Sequence, residues 1–348
     1  MISVCMIAKD EEAVIGRCLE ALKKYEVEII VVDTGSKDAT KEIARRYTEH
    51  VYDYTWTHDF AEARNYSISK ASNEFILVID CDEIVTKLDI RRLEEMAEKN
   101  KELAGRLTIL NDYTKNGMKY CYTDQLTRFF AKEKFEYTGM IHEQVTAKDG
   151  KPYRTYDIPL TIHHLGYDGD LEARKKKTKR NISLLNDMLE QNGADPYVLY
   201  QLGKSYSMQE DYADAIPYYD EALTFDLDER LEYVQDMVES YGYALINAGQ
   251  YEKALGLTGI YDAFAHSSDF VFMIALVLMN NADFAGALQQ FEIATKMKNA
   301  KVDGINGFLA YYNMGVIKEC LGDTATAQKY YKKCGNYEPA KQRLLKRL

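Results

Sequence analysis

Three clusters of side chains in this sequence could carry chemistry: the acids of Asp80-Cys81-Asp82-Glu83, the pair His142-Glu143 in Gly139-Met-Ile-His-Glu, and His163-His164 in His-His-Leu-Gly-Tyr167. The first closes the apolar run Phe75-Ile-Leu-Val-Ile79, which reads as a buried strand that stops at carboxylates. On an extended backbone Asp80 and Asp82 point to one side and Cys81 to the other. Two acids in one small space raise each other's pKa, and a divalent cation is the usual way to keep both ionised. The stretch therefore points to a metal and nucleotide-phosphate site. The two histidine clusters hold groups able to move protons or bind metal.

The elements that must position these residues alternate between strand and helix. Ile2–Ile7 suits a buried strand ending at Ala8 and Lys9, and Lys9-Asp10-Glu11-Glu12 opens an amphipathic helix carrying Val14, Ile15, Cys18, Leu19 and Leu22. Glu28–Asp33 is a second strand, released by the turn Thr34-Gly-Ser-Lys-Asp38 into a helix over 39–47. A short strand over 51–54, a helix over 59–71 and the strand over 75–79 follow. This order predicts a Rossmann-like, mainly parallel α/β sheet, whose ligands bind outside the carboxyl ends of the strands. One crevice then collects Ala8, Asp33, Asp80 and Asp82. No phosphate-binding glycine loop or dinucleotide fingerprint follows the first strand, so a phosphate there needs a cation to hold it. From 105 to 167 short alternating runs suit antiparallel or mixed strands around an acceptor pocket.

The carboxyl-terminal half is helical in pattern and repeats. A polar helix over 171–191 leads to Asp195-Pro196, after which Leu199, Leu202, Gly203, Tyr206, Ala215, Tyr219 and Ala222 fit the tetratricopeptide template of about 34 residues. Weaker copies begin at Gly242, Ile274 and Met314. The organisation expected is 1–167 for the α/β domain, 168–194 for a linker helix and 195–348 for an all-α repeat solenoid. Such a solenoid offers a concave groove to a peptide or to a second copy of the chain, and exposed members of the 28 tyrosines would suit a polypeptide.

A net charge of −11 argues against a nucleic-acid surface, and the basic run 174–180 reads as a solvated helix face. No window reaches the roughly 18 apolar residues of a membrane span, and Met1 leads into a strand rather than a signal peptide. The expectation is a soluble, cytoplasmic protein without stable membrane insertion. The six scattered cysteines form no Cys-x-x-Cys pair and read as reduced packing residues.

Four ordered motifs carry a family resemblance: Ile2–Glu12, Val32–Asp38, Trp56-Thr-His-Asp-Phe-Ala-Glu-Ala-Arg-Asn65 and Asp80-Cys-Asp-Glu83. Together they resemble the family 2 glycosyltransferases of GT-A fold, in the branch with tetratricopeptide repeats that includes bacteriocin and flagellin glycosyltransferases. The resemblance implies an inverting transferase that uses a nucleotide sugar, UDP-linked, with Mn²⁺ or Mg²⁺. It places Ala8, Asp10, Asp33, Arg64 and Asp80 on the nucleotide sugar, with Asp33 at the base or ribose and Arg64 against the base. It makes Asp82 a metal ligand with His164, His163 being the competitor, and Glu143 the base that deprotonates the acceptor. Asp10 departs from the usual asparagine and Cys81 from the usual small residue.

Three functions compete on these grounds: transfer of a sugar to a peptide or protein side chain, transfer to a lipopolysaccharide core or lipid-linked saccharide, and an inactive repeat scaffold. The joint presence of Arg64, Asp80, Asp82, Glu143 and His164 argues against the scaffold. The acidic balance and the lack of an amphipathic membrane helix lean towards a polypeptide acceptor.

Overall fold

The computed structural model describes residues 1–115, 118–164 and 171–345. It divides into two compact units, Met1–Gly169 and Asp170–Leu348. The expected boundary between 167 and 168 and the motif residues Leu165-Gly166-Tyr167 lie outside the described residues.

In the first unit, β1 (Ile2–Ala8), α1 (Ile15–Leu22), β2 (Glu28–Asp33), α2 (Thr40–Ala44), β3 (Val51–Asp53), α3 (Phe60–Ser69) and β4 (Phe75–Val78) alternate as the sequence pattern predicts. The remainder is β5 (Glu83–Leu88), α4 (Ile90–Lys99), β6 (Ala104–Lys115), β7 (Met118–Ala131), β8 (Phe135–Thr138), β9 (Gln144–Ala147) and β10 (Thr155–His164). Eight strands form one sheet in the order β3-β2-β1-β4-β7-β6-β10-β5, and β8 pairs with β9 apart from it. β1 to β4 are mutually parallel, β7 reverses direction, and β6 and β10 return to the direction of β4; β5 is antiparallel at the edge. The carboxyl ends of β1, β2, β3, β4 and β10 thus share one edge of the sheet.

Both faces of the sheet are covered, which is why β1 and β2 read as continuous apolar runs. Ile2, Val4 and Met6 pack with Ile15, Leu19 and Leu22 of α1 and Leu93 and Ala97 of α4. Cys5, Ile30 and Val32 pack on the other face with Ala61 and Ile68 of α3 and with Phe135, Tyr137 and Val145 of the small sheet.

Two local expectations change. The acids Glu11 and Glu12 precede the first helix, which begins at Ile15. Asp10 adopts a left-handed φ of 55°, a region that Asp and Asn enter at least cost among side-chain-bearing residues, and a helix cannot continue through it. Its neighbours instead knit the two loops at the sheet edge: Glu11 N–H donates to Thr40 Oγ1, Glu12 N–H to Asp38, and Lys37 N–H to Asp10. Asp80 and Asp82 also lie in a turn rather than on a strand, so the alternation argument does not govern them.

The second unit opens with α5 (Leu171–Asn192), which packs on α6 (Pro196–Met208). Helical pairs follow: α6 with α7 (Tyr212–Ala222), α11 (Ser268–Asn280) with α12 (Phe284–Lys296), and α13 (Phe308–Cys320) with α14 (Thr324–Lys333), before α15 (Glu338–Leu345). The second copy is irregular. α8 (Glu232–Asn247) is followed by α9 (Tyr251–Ala254), a 3₁₀ turn over Leu255–Ile260 and α10 (Tyr261–Phe264). Gly256 and Gly259, both poor helix formers, fall within that turn. No helix among the described residues is long and apolar enough to cross a membrane.

Two of the regular repeats, α6–α7 and α13–α14, close on the same contact. A Cβ at Gly203 would stand 2.8 Å from the Tyr219 ring, and a Cβ at Gly315 would stand 2.4 Å from the Tyr331 ring. Tyr331 is fully buried and its hydroxyl donates to Glu319 at 2.5 Å, so the ring has little room to retreat. Gly315→Ala should therefore lose about 1–3 kcal/mol to overpacking, more than the gain of about 1 kcal/mol from helix propensity. A lowered denaturant midpoint of the helical signal is the expected result, and an unchanged or raised midpoint would contradict it.

Candidate active site

The acidic turn after β4 is closed by its own residues. Asp80 N–H donates to Glu83 Oε2 at 2.8 Å, and Glu83 N–H donates to the Asp80 carbonyl at 3.1 Å. Cys81 packs inward, its thiol donating to the Ile7 carbonyl at 3.4 Å, and burial holds it protonated. The carboxylates of Asp80 and Asp82 go to different partners.

Asp80 is clamped by two arginines. Arg64 Nη1 reaches Oδ1 at 2.8 Å and Arg128 Nη2 reaches Oδ2 at 2.9 Å. Partial burial works against the ionised form, but Arg128 and Arg64 outweigh it and hold the Asp80 carboxyl well below the usual carboxylate range. The cation expected to keep both acids ionised is thus not needed for Asp80. Arg128 also stands 3.8 Å from Glu83 Oε1. Burial pushes Glu83 up to about 7, against the pull of Arg128.

Arg64, expected against a nucleotide base, lies on the buried face of α3 at 5% exposure. Its Nε donates to Glu143 Oε1 at 2.5 Å, and its guanidinium stands 5.5 Å from the Tyr137 ring. Burial opposes the guanidinium's charge, yet Asp80 and Glu143 raise its pKa well above the ordinary value. Glu143 Oε2 takes no partner among the described residues. The loop that carries Glu143 turns through Gly139 at a φ of 100° and His142 at 52°, between β8 and β9. It is tied to α3 from two sides. Phe60 N–H donates to the Met140 carbonyl at 2.9 Å, and the Asn65 side chain pairs with both backbone groups of Tyr137, at 2.8 and 2.9 Å.

Asp82 meets the end of β10. Register sets His164 beside Glu83 on one side and Asn111 on the other. Its Nε2 lies 3.1 Å from Asp82 Oδ2 and its Nδ1 lies 2.9 Å from Asn111 Oδ1. His163 points elsewhere, to Asp112 at 2.9 Å, so His164 is the histidine that faces Asp82. In the tautomer that donates Nδ1–H to Asn111 Oδ1, His164 presents its Nε2 lone pair to the Asp82 carboxylate, the form that can share a cation with it; in the other tautomer Nε2–H donates to Asp82 directly. Two ligand atoms each about 2.1 Å from an octahedral ion stand about 3 Å apart, so this donor pair fits Mn²⁺ or Mg²⁺. Among the described residues no group of three His, Cys, Asp or Glu side chains forms a cage. The remaining positions would fall to water or to a ligand.

Asp33, at 2% exposure, ends β2 and accepts on Oδ1 from Gly35 and Ser36 N–H at 3.0 Å each. Its Oδ2 is buried without a partner among the described residues. Asp33 lines a pocket of about 360 Å³ with Thr34, Gly35, Asp53, Tyr54, Thr55 and Trp56, within the range of about 300–1,000 Å³ usual for small-molecule clefts. Ala8 contributes its carbonyl to this corner, accepting from Thr34 N–H at 2.9 Å, and Asp10 holds Lys37. Sequence reasoning missed Arg128, Tyr137, Asn111 and the pinning role of Asn65. The only signal for Arg128 was a charge inside the run Thr127-Arg-Phe-Phe130.

Residues 3–150 match the family described as Glycosyl transferase family 2, and residues 196–228 and 309–341 match tetratricopeptide repeats. His164 lies beyond the first match. Over 208 residues the chain is 30% identical to a TPR repeat-containing protein of Synechococcus elongatus, covering 58% of this chain and 51% of that protein. Over 215 residues it is 27% identical to the SPbeta prophage-derived glycosyltransferase SunS of Bacillus subtilis, covering 61% and 51%. Over 131 residues it is 26% identical to the lipopolysaccharide core biosynthesis glycosyltransferase LpsC of Rhizobium meliloti, covering 36% and 47%. The chain thus spans about half the length of the curated relatives it matches. The chain carries a family 2 glycosyltransferase domain, matched over residues 3–150, followed by tetratricopeptide repeats.

Proposed function

We propose that the protein is an inverting, cation-dependent glycosyltransferase that moves a sugar from a nucleotide sugar, UDP-linked, to a peptide or protein side chain. The observation that carries this reading is the Asp82–His164 pair, 3.1 Å apart, which joins the acidic turn inside the family 2 match to the end of β10 just beyond it. Asp82 and His164 would hold Mn²⁺ or Mg²⁺, which when bound neutralises charge on a departing diphosphate. Asp33 offers its unpaired Oδ2 to an N–H or hydroxyl of the nucleoside in the pocket it shares with Tyr54 and Trp56. Glu143 takes the acceptor's proton on Oε2 while Arg64 fixes Oε1 and so sets the direction of the free oxygen.

The tetratricopeptide repeats, a protein-binding architecture, support a polypeptide acceptor. The likeness to LpsC supports a saccharide acceptor instead. Incubation of UDP-sugars with Mn²⁺ or Mg²⁺, followed by transfer assays on candidate peptides and on lipopolysaccharide core saccharides, separates the two. Turnover of no nucleotide sugar under any of these conditions would refute the transferase reading.

Three outcomes follow for the site. Glu143→Gln should lower transfer by at least about 100-fold, the scale of lost general-base catalysis, while nucleotide-sugar affinity measured by calorimetry stays within a few-fold; full turnover would remove Glu143 from the role. Asp82→Ala should abolish the cation-dependent part of donor binding, and unchanged affinity with Mn²⁺ present would count against the assignment. Trp56 is the chain's single tryptophan and lines the Asp33 pocket. Titration with UDP should shift or quench its emission in the wild type and do so only at higher concentration in Asp33→Ala. A signal that never moves would place the nucleotide elsewhere.

A further inference from the structure

The strand opposite β4 contributes a residue that the cation-binding reading leaves without a role. Arg128 sits on β7, one position before the Phe129 that pairs with Leu77, and so reaches the turn that follows β4. Its Nη2 holds Asp80 Oδ2 at 2.9 Å and faces Glu83 Oε1 at 3.8 Å. Those two residues are the first and last of the turn, closed on each other through both backbone N–H groups. Asp82 is the residue between them whose side chain leaves the turn, towards His164.

The Arg128 side chain is 14% exposed, and its Nη1 is buried with no partner among the described residues. An unsatisfied donor on a buried charge is costly, and packing alone would be served as well by an apolar chain of similar length. What the guanidinium does that an apolar chain cannot is hold two carboxylates at opposite ends of one turn. Arg64 cannot substitute for it, because its contacts are Asp80 Oδ1 and Glu143, and Glu83 is not among its partners.

We propose that Arg128 is a positioning residue for cation binding: it fixes the Asp80–Glu83 turn so that Asp82 Oδ2 stands opposite His164 Nε2. The inference rests on the reading of Asp82 and His164 as the cation's protein ligands. Groups that hold a metal ligand in place without touching the metal change affinity by about 10–100-fold when removed.

The test is Mn²⁺ binding to the full chain in the presence of UDP, followed by the paramagnetic signal of free Mn²⁺, with melting and far-ultraviolet circular dichroism recorded on every variant. Arg128→Met should weaken Mn²⁺ at least about 10-fold while the helical and sheet signals persist. Arg128→Lys keeps the charge on a shorter side chain that cannot hold both the Asp80 bond and the approach to Glu83, and should fall between Met and the wild type. Arg64→Lys, which leaves the Arg128 contacts in place, should change Mn²⁺ affinity less than Arg128→Met does. Wild-type affinity in Arg128→Met overturns the proposal. If Arg128→Met does not fold, Arg128→Lys decides: weaker Mn²⁺ with an unchanged melt supports the role, and unchanged Mn²⁺ refutes it. A wild type that binds no Mn²⁺ with UDP refutes the cation site itself, a result distinct from a wild type that binds and an Arg128→Met that binds equally well.

Discussion

The first unit is built around a buried row of alternating charges: Glu143, Arg64, Asp80, Arg128 and Glu83. Each member comes from a different place: the β8–β9 loop, α3, the turn after β4, β7 and the start of β5. A buried charge is tolerated only when paired, and removing one partner exposes the other to the full desolvation penalty. The row therefore ties these five places to one another, beyond what apolar packing requires. Its middle member carries the greatest load, since both oxygens of Asp80 are occupied by arginines. With three acids to two bases, the row is relieved of one excess negative charge when Glu83 is protonated, in keeping with its elevated pKa of about 7.

Much of the fold was legible because the apolar runs were unambiguous. β1, β2 and β4 are buried on both faces and read as short continuous hydrophobic segments ending at Ala8, Asp33 and Asp80. The repeats were legible for a similar reason, since the glycine facing a buried tyrosine recurs at Gly203 and Gly315. What escaped was cross-strand. Arg128 gains its meaning from the antiparallel pairing of β7 with β4, and Asn111 from its place beside His164 in the parallel pairing of β6 with β10. One-dimensional pattern carries no register, and without register neither partner can be named. The choice between His163 and His164 is of the same kind: adjacent residues point to opposite faces, and the neighbours on each face decide.

Local backbone conformation explains a second group of differences. The acids after β1 have the composition of a first helical turn, but left-handed Asp10 stops a helix from starting there. The backbone N–H groups that a helix would leave open are met by Thr40 and Asp38 across the loop. The departure from asparagine at this position is conformationally small, because Asp shares the tolerance for positive φ. Asn65 is the converse case. It has the composition of an exposed helix residue, yet its amide makes both hydrogen bonds of a strand partner to Tyr137 and so fixes the loop that carries Glu143.

The two aspartates of the acidic turn thus divide along physical lines. Asp80 has its charge compensated inside the protein, so its ionisation does not depend on anything that binds. Asp82 is partly open and meets no arginine, only an imidazole nitrogen of His164. Two protein donors leave most positions around a hard cation unfilled, and cations of that type are commonly completed by phosphate oxygens and water. If Asp82 and His164 hold a cation as proposed, the site gains affinity when a diphosphate is present and loses it when the diphosphate leaves. On the proposed reading, the arginine-clamped turn confines that coupling to Asp82 and His164, while Glu143, anchored to the same row through Arg64, keeps its position whether or not the nucleotide is bound.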